Sequence, residues 1–334
     1  MDRTESADPA RLSGALKAAL LDSAPLVTAA VPDLARAVFT GSGDSLASAL
    51  LATAFGHRAL SAGDLTWSAT LPAACDTVVG ISHSGTSGAT VRALRLARDA
   101  GMRTVAITSQ PSSPLADSAD AVQLVPTLRL DEQVPCAGHV MLAQGVAAVC
   151  GVDTAPVGTA LATTLDGVRD LVTAGLAGLP AEAPDAISVL SLPELRSGAD
   201  FWVLKLIEAC GLAARNVPLE ESGHVDYFIG PQAHLTLQLI GSQGRARFDR
   251  LAEALRSTGQ TVRQIDLSAT GTAADQPPTG TPVTAGTPDA WLVRELATAV
   301  AGTWFAAGAA ARWGRPPFRG GAVNMDAGHI KLDV

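Results

Sequence analysis

At 334 residues, 47% of them apolar, the chain exceeds the size of a usual single core and predicts a globular protein of two domains. A formal net charge of −8 without any basic run argues against nucleic acid as a partner, because phosphate-backbone affinity needs clustered Lys and Arg. The first dozen residues lack an apolar h-region, and the Ala-rich run Leu296 to Ala311 is too short and too weakly apolar to span hydrocarbon, so neither export nor a membrane is expected. Cys75, Cys136, Cys150 and Cys210 form no CxxC pair and have no His-rich companion. They predict reduced thiols in cytoplasm rather than a zinc site or a disulfide framework.

In chain order, a helical lead-in occupies residues 1–36, helical around Ala10 to Ala37. The pattern then becomes a short apolar run, a Gly or Ser turn and an amphipathic helix, repeated, which signals βαβ units and a parallel sheet. Ala37 to Thr40 predicts a strand feeding GSGDS and a helix through Phe55. Thr77 to Ser82 predicts a second strand, feeding SHSGTS and a helix from Thr86 to Ala100, with Gly101 at the helix stop. Further strands are expected at Thr104 to Thr108 and Ala121 to Val125, and two helices between Ala137 and Gly178 complete a first domain at 37–178.

After a linker through Pro184 the alternation restarts in a second domain at 184–312. Strands are expected at Ala186 to Leu190, His234 to Ile240 and Val262 to Leu267, with helices at Ala199 to Ala214 and Arg245 to Thr258. The second half echoes the first without visible identity, as a duplicated α/β unit would. Ser268 to Pro288, rich in Thr, Ala, Gly and Pro, reads as a loop. A helix from Asp289 to about Arg312 follows, and the Gly-rich tail 313–334 ends in the amphipathic HIKLDV, either a frayed end or a flap.

In an open parallel sheet, ligands collect beyond the carboxyl ends of the strands, where GSGDS (Gly41 to Ser45) and SHSGTS (Ser82 to Ser87) both fall. Glycine lets backbone N–H groups approach an anion, and a helix start adds further donors. Helix capping accounts for one or two Ser or Thr side chains, not for the density of hydroxyls in SHSGTS. A phosphate-type anion explains that density, because each hydroxyl donates one more hydrogen bond. Dinucleotide binding is disfavoured, since Leu46 stands where GxGxxG requires its third glycine.

In the second half, FWVLKLIEACGLA places Lys205 and Glu208 three residues apart on one face of an apolar helix. Either they form a structural ion pair, or Glu208 is a general base whose pKa burial raises. The segment PLEESGHVDYFIGP, with Glu220, Glu221, His224 and Asp226, reads as a polar, solvated loop.

GSGDS followed by strand-SxSGxS resembles the SIS (sugar isomerase) family, as found twice in the isomerase half of glucosamine-6-phosphate synthase and in AgaS-type phosphosugar isomerases. The fold this implies is α/β, two doubly wound, flavodoxin-like parallel-sheet subdomains in tandem. The resemblance further implies phosphate ligation by Ser45, Ser82, the His83 position, Ser84 and Ser87, with Gly43 and Glu221 as additional substrate contacts. His83 stands where the synthase pattern SQSG has Gln. KLIE and the acidic segment resemble the family's KLKE helix and ELKHGP loop, which assigns proton transfer to Glu208 beside Lys205 and ring opening to His224 of a neighbouring subunit, hence a homodimer. Gly230 and Pro231 come six residues after His224 rather than directly after it. The tail resembles the family's terminal segment and points to Lys331 over the sugar. The second half is expected to lack a cradle, since LSLPELRSG carries Pro193 where the family has glycine.

These resemblances imply a cytoplasmic phosphosugar aldose-ketose isomerase working through a cis-enediol, or an aminosugar-phosphate deaminase/isomerase, with a phosphorylated sugar or aminosugar as ligand and neither metal nor organic cofactor. A fructosamine-phosphate deglycase and a non-catalytic sugar-phosphate sensor remain alternatives. Only 36 residues precede Ala37, so glutamine-dependent amidotransfer and a DNA-binding helix-turn-helix within this chain are not expected.

Overall fold

The computed structural model describes residues 8–315 apart from 25, 30–33, 69–70, 133, 231 and 271–289. The lead-in helix α1 (Pro9–Asp22) starts behind Asp8, whose carboxylate accepts the Ala10 N–H at 3.0 Å. Pro9 sits in the first turn, where its missing N–H costs no helical bond.

Two wholly parallel sheets follow. The first contains β1 (Ala37–Gly41), β2 (Arg58–Ser61), β3 (Thr77–Ile81), β4 (Arg103–Thr108) and β5 (Ala121–Leu124), in the order β2-β1-β3-β4-β5. The second contains β6 (Ala186–Ser191), β7 (Ala213–Pro218), β8 (His234–Ile240) and β9 (Thr261–Asp266), in the order β7-β6-β8-β9. The second order repeats the first four strands of the first, β6 standing for β1 and β8 for β3, and β5 is without a counterpart among the described residues.

Strands such as TVVGI and HLTLQLI are buried at every position, as expected where helices cover both faces of a parallel sheet. Alternate residues serve different layers. Phe39, Val79 and Ile107 face a core shared with Leu235, Leu237 and Leu239 of the second sheet. Val38, Val78 and Ala106 face outward beneath α3 (Ala62–Ser68), α4 (Gly88–Asp99) and α5 (Pro114–Asp117). Leu190, Ile240 and Val262 do the same beneath α10 (Arg245–Ser257).

The shared layer holds α2 (Asp44–Leu50), α6 (Ala137–Val149), α7 (Val157–Ala177), α8 (Arg196–Cys210) and α11 (Ala290–Arg312). α11 is largely apolar and buried along nearly its whole length, and packs along α8 and α7. Its approach to α8 is close: a Cβ on Gly302 would lie 2.5 Å from the Trp202 ring, and one on Gly198 2.7 Å from Thr298. No helix among the described residues is long and apolar enough to cross a membrane.

Three expectations need correction. The lead-in expected to be helical around Ala10 to Ala37 is helical through Asp22, where extended Ser23 (φ −71°, ψ 135°) ends α1. The helix expected from Ala199 to Ala214 begins at Arg196 and ends at Cys210, because Gly211 adopts φ +57°, a left-handed C-cap, and the chain then enters edge strand β7. The acidic segment is not a solvated loop but helix α9 (Leu219–Val225) followed by a 3-10 turn over Asp226–Ile229. It is anchored by buried Leu219, Ser222 and Asp226.

Candidate active site

β1 and β3 are paired neighbours, and the strand order reverses between them, so their carboxyl-end loops flank the crevice that a doubly wound sheet offers to ligands. After β1, Gly43 sits at φ +56° and ψ −128°, a conformation glycine alone adopts readily. A Cβ on Gly41 would come within 2.8 Å of the Ser45 backbone, so the tight path that buries Ser45 at the start of α2 also needs glycine.

After β3, Gly85 takes φ +66° and lies against Ser113, whose Oγ a Cβ on Gly85 would approach to 2.2 Å. The hydroxyls between these glycines and α4 converge in pairs: Ser82 Oγ lies 3.0 Å from Ser87 Oγ, and Ser84 Oγ lies 2.8 Å from Thr86 Oγ1. Ser87 holds the N-cap position of α4 but makes no capping bond, so capping does not account for its hydroxyl. Thr86 joins the serines that the SxSGxS pattern nominates. The His83 carbonyl accepts from Ser109 N–H at 3.2 Å and Ser109 Oγ at 2.8 Å, fixing the loop to the end of β4. Its imidazole packs over Gly138 at the start of α6, and burial lowers its pKa, leaving a neutral ring.

From the other lobe, α8 brings Lys205 and Glu208 to this crevice. Lys205 is wholly buried, and its Nζ donates to Glu208 Oε2 at 2.8 Å and to Asp44 Oδ2 at 2.9 Å. Asp44 is the fourth residue of GSGDS, so one ammonium ties the catalytic-helix candidate to the candidate phosphate loop. Burial opposes the charge on Lys205, yet the two carboxylates outweigh it and the pKa is raised. The Glu208 pKa is also raised: burial pushes it up, Lys205 pulls it down, and the nearby Asp44 charge pushes it up again.

Behind this trio, Phe201 stacks on the His139 ring at 3.9 Å between centroids and carries Lys205 Nζ 4.7 Å from its own centroid. The Ser48 hydroxyl donates to the Asp44 carbonyl at 3.0 Å and has no second proton, so His139 Nδ1 donates to Ser48 Oγ at 2.9 Å. Burial drives the His139 pKa down to about 4, which keeps the ring neutral beside Lys205. The sequence reading missed Asp44, Ser48, His139 and Phe201; a lone His inside the apolar helix AGHVMLAQGVAAV was the signal available for one of them.

Glu221 and His224 are exposed on α9 and do not join the Lys205 cluster. The residue that fixes their segment is Asp226: fully buried, it accepts from Arg215 at 2.5 Å and from Ser222 Oγ at 2.7 Å, while its carbonyl accepts from Gln260 at 2.6 Å. Lys331 lies outside the described residues.

In the second lobe, expected to lack a cradle, the chain itself occupies the corresponding turn. The counterpart of the β3–α4 loop is the turn Gly241 to Gly244 after β8, which presents the Ser242 hydroxyl and the Gln243 N–H. Both donate to the carboxylate of buried Glu194, at 2.5 and 3.1 Å. A cradle-like turn exists there, and the chain's own anion fills it. Pro193, read as the mark of a lost site, starts the 3-10 turn that delivers Glu194.

Comparisons with known proteins agree with this architecture. A model of the SIS domain matches residues 35–138, the segment carrying both loops. The N-acetylmuramic acid 6-phosphate etherase of Bacteroides thetaiotaomicron is 51% identical over 45 residues, 14% of this chain and 16% of that protein. The 3-hexulose-6-phosphate isomerase of Mycobacterium gastri is 42% identical over 72 residues, 22% of this chain and 35% of that one. The chain therefore matches well under half the length of these curated relatives. The glucosamine-6-phosphate deaminase of Thermotoga maritima superposes with a TM-score of 0.69 at 15% identity, covering 95% of this chain and 98% of that one, a likeness of fold. Residues 35–138 thus form a SIS domain over the first sheet, and the second sheet repeats the same doubly wound arrangement.

Proposed function

We propose that the protein is a phosphosugar isomerase, converting an aldose phosphate and a ketose phosphate through a cis-enediol, or carrying out the same steps with loss of an amine. The observation that supports this most is the Asp44–Lys205–Glu208 link, which sets a carboxylate of raised pKa beside the loop that opens the candidate phosphate site. Residues 37–178 hold the phosphate through Ser45, Ser82, Ser84 and Ser87, with Gly43 and the loop at His83 shaping the cradle. Residues 184–312 supply the chemistry. Glu208 takes the proton from C2 and returns it to C1, and a positioned base of this kind contributes about 10²- to 10⁴-fold. Anchoring the phosphate supplies much of the remainder by holding the reacting carbon at the base.

In this reading His224 and Glu221, exposed on α9, reach the site of a second copy in a homodimer, and the tail 313–334 brings Lys331 over the sugar. No metal or organic cofactor takes part. The curated relatives, named as an etherase of a 6-phosphorylated amino sugar derivative and an isomerase of a 6-phosphorylated ketose, share phosphosugar chemistry and differ in reaction, which leaves the particular sugar to experiment.

The test is solvent-deuterium exchange at C2 across hexose, pentose and aminosugar phosphates, after a thermal-shift screen for ligands. Wild type is expected to exchange with at least one of them. Glu208→Gln is expected to bind that compound nearly as well and to exchange it more than 100-fold more slowly, at the low end of general-base contributions. Binding without exchange by the wild type would make the protein a sensor and overturn the enzymatic reading.

A further inference from the structure

Asp44 belongs to the candidate phosphate loop by sequence, yet its carboxylate turns to the catalytic-helix candidate. We infer that Asp44 is a positioning residue that sets the basicity of Glu208 by sharing the Lys205 ammonium with it. This rests on reading Glu208 as the base and adds how that base is tuned.

The geometry carries it. Lys205 is wholly enclosed and spends two of its three ammonium protons on carboxylates 2.8 and 2.9 Å away, each about a third exposed, at 32% for Glu208 and 34% for Asp44. Two carboxylates around one ammonium leave one uncompensated negative charge. A Glu208 paired with Lys205 alone would be a weak base, because an undivided ion pair stabilises its ionised form. Placing Asp44 on the same ammonium removes part of that stabilisation, so that burial, the main cause, and then the Asp44 charge raise the pKa of Glu208 against the pull of Lys205.

The neighbouring groups leave this balance in place. On α6, His139 faces the Asp44 carbonyl as a neutral ring, and burial, chiefly, raises the Cys136 thiol pKa so that it too stays neutral. Glu132 is engaged with Cys136 and with the N–H groups of Cys136 and Ala137. α11 presents Thr303 on that side, uncharged. Arg315 donates to the carbonyls of Cys210 and Gly211 at the far end of α8. Among the described residues, Lys205 and Asp44 are thus the charges in direct play on Glu208.

The same trio joins the two lobes, since Asp44 starts α2 and Glu208 sits on α8. The base is therefore tuned from the loop that grips the substrate.

The experiment is a carboxyl titration of the full chain labelled with ¹³C-glutamate, the Glu208 signal being assigned by its loss in Glu208→Gln. Asp44→Asn keeps an oxygen for Lys205 and removes only the charge. Its Glu208 midpoint is expected to fall by about one pH unit. An unchanged midpoint overturns the inference. So does a rise, since it would mean that Asp44 merely holds Lys205 against Glu208. Should Asp44→Asn not fold, wild type labelled at both Asp and Glu decides: two-step, mutually coupled curves for Asp44 and Glu208 support charge sharing, and independent single steps refute it.

With a hexose 6-phosphate that exchanges at C2, the acid limb moves with the midpoint. One pH unit below the wild-type midpoint, Asp44→Asn should exchange about fivefold faster relative to its own plateau. Failure of every sugar phosphate to exchange would refute the proposed function and leave the titration result standing.

Discussion

Lys205 shows how much one side chain can decide. A fully buried ammonium survives only with compensating charge, and its two partners come from different lobes. Lys205→Met would leave two carboxylates facing each other and is expected to destabilise the fold by about 2–3 kcal/mol, below the ~3–5 kcal/mol of a wholly buried pair because both partners reach solvent. Urea unfolding measures this, and protonating the carboxylates at low pH should recover part of it. At Gly85 the constraint is steric. A Cβ would meet Ser113 at 2.2 Å in a left-handed conformation, so Gly85→Ala is expected to weaken phosphate-dependent thermal stabilisation at least tenfold in apparent affinity while leaving secondary structure intact by circular dichroism.

Among the elements, the second lobe repeats the first with its anion site occupied from within. Glu194 reaches the turn after β8 because Pro193 starts a one-turn 3-10 helix and Gly241 leaves room: a Cβ on Gly241 would fall 2.4 Å from the Glu194 carboxylate. Glu194→Ala removes the buried carboxylate that accepts from the Ser242 hydroxyl and the Gln243 N–H and faces the buried Arg294 guanidinium at 3.7 Å. It is expected to cost roughly 2–3 kcal/mol, the range for charged hydrogen-bonded groups. Glu194→Gln, whose one amide oxygen keeps one of the two acceptor positions, should cost less, and comparing the two in urea melts measures what that remaining acceptor contributes. A single phosphate per chain, counted by calorimetry at saturation, follows from the same plug.

For the molecule as a whole, the α11–α8 seam carries a second buried acid that sets a pH dependence. Glu295 is enclosed on α11, takes the Gly198 N–H at 3.0 Å, and has its pKa raised by burial to about 8 from a model-peptide value of 4.5. The unfolded chain ionises this group at the lower value, whereas the folded chain keeps its proton until about pH 8. Between these two pH values the unfolded state binds fewer protons, so stability is greatest at the acid end and falls as pH rises through the window. Chemical denaturation at pH 5 and pH 8 should show this decline, and Glu295→Gln, neutral throughout, should flatten it.

The glycines and hydroxyls of GSGDS and SHSGTS, the apolar runs between them and the KLIE spacing determined on their own the parallel-sheet architecture, the two loops at the strand ends and the placing of Lys205 and Glu208 on one helix face. Those features are local: strand burial on both faces leaves a continuous apolar run, a left-handed turn demands glycine, and helical spacing puts residues three apart on one face. β7 escaped because AARNVP is a half-exposed edge strand held by hydrogen bonds to β6, a pairing without an apolar pattern of its own. Asp226 escaped because an acid in a polar segment reads as solvated, and only folding brings Arg215 and Ser222 around it. Asp44, His139 and Phe201 became parts of one site only in three dimensions, since Lys205 lies 161 residues from Asp44. Charge–charge distance across the interface of two lobes is a property of packing, and no periodicity along the chain encodes it.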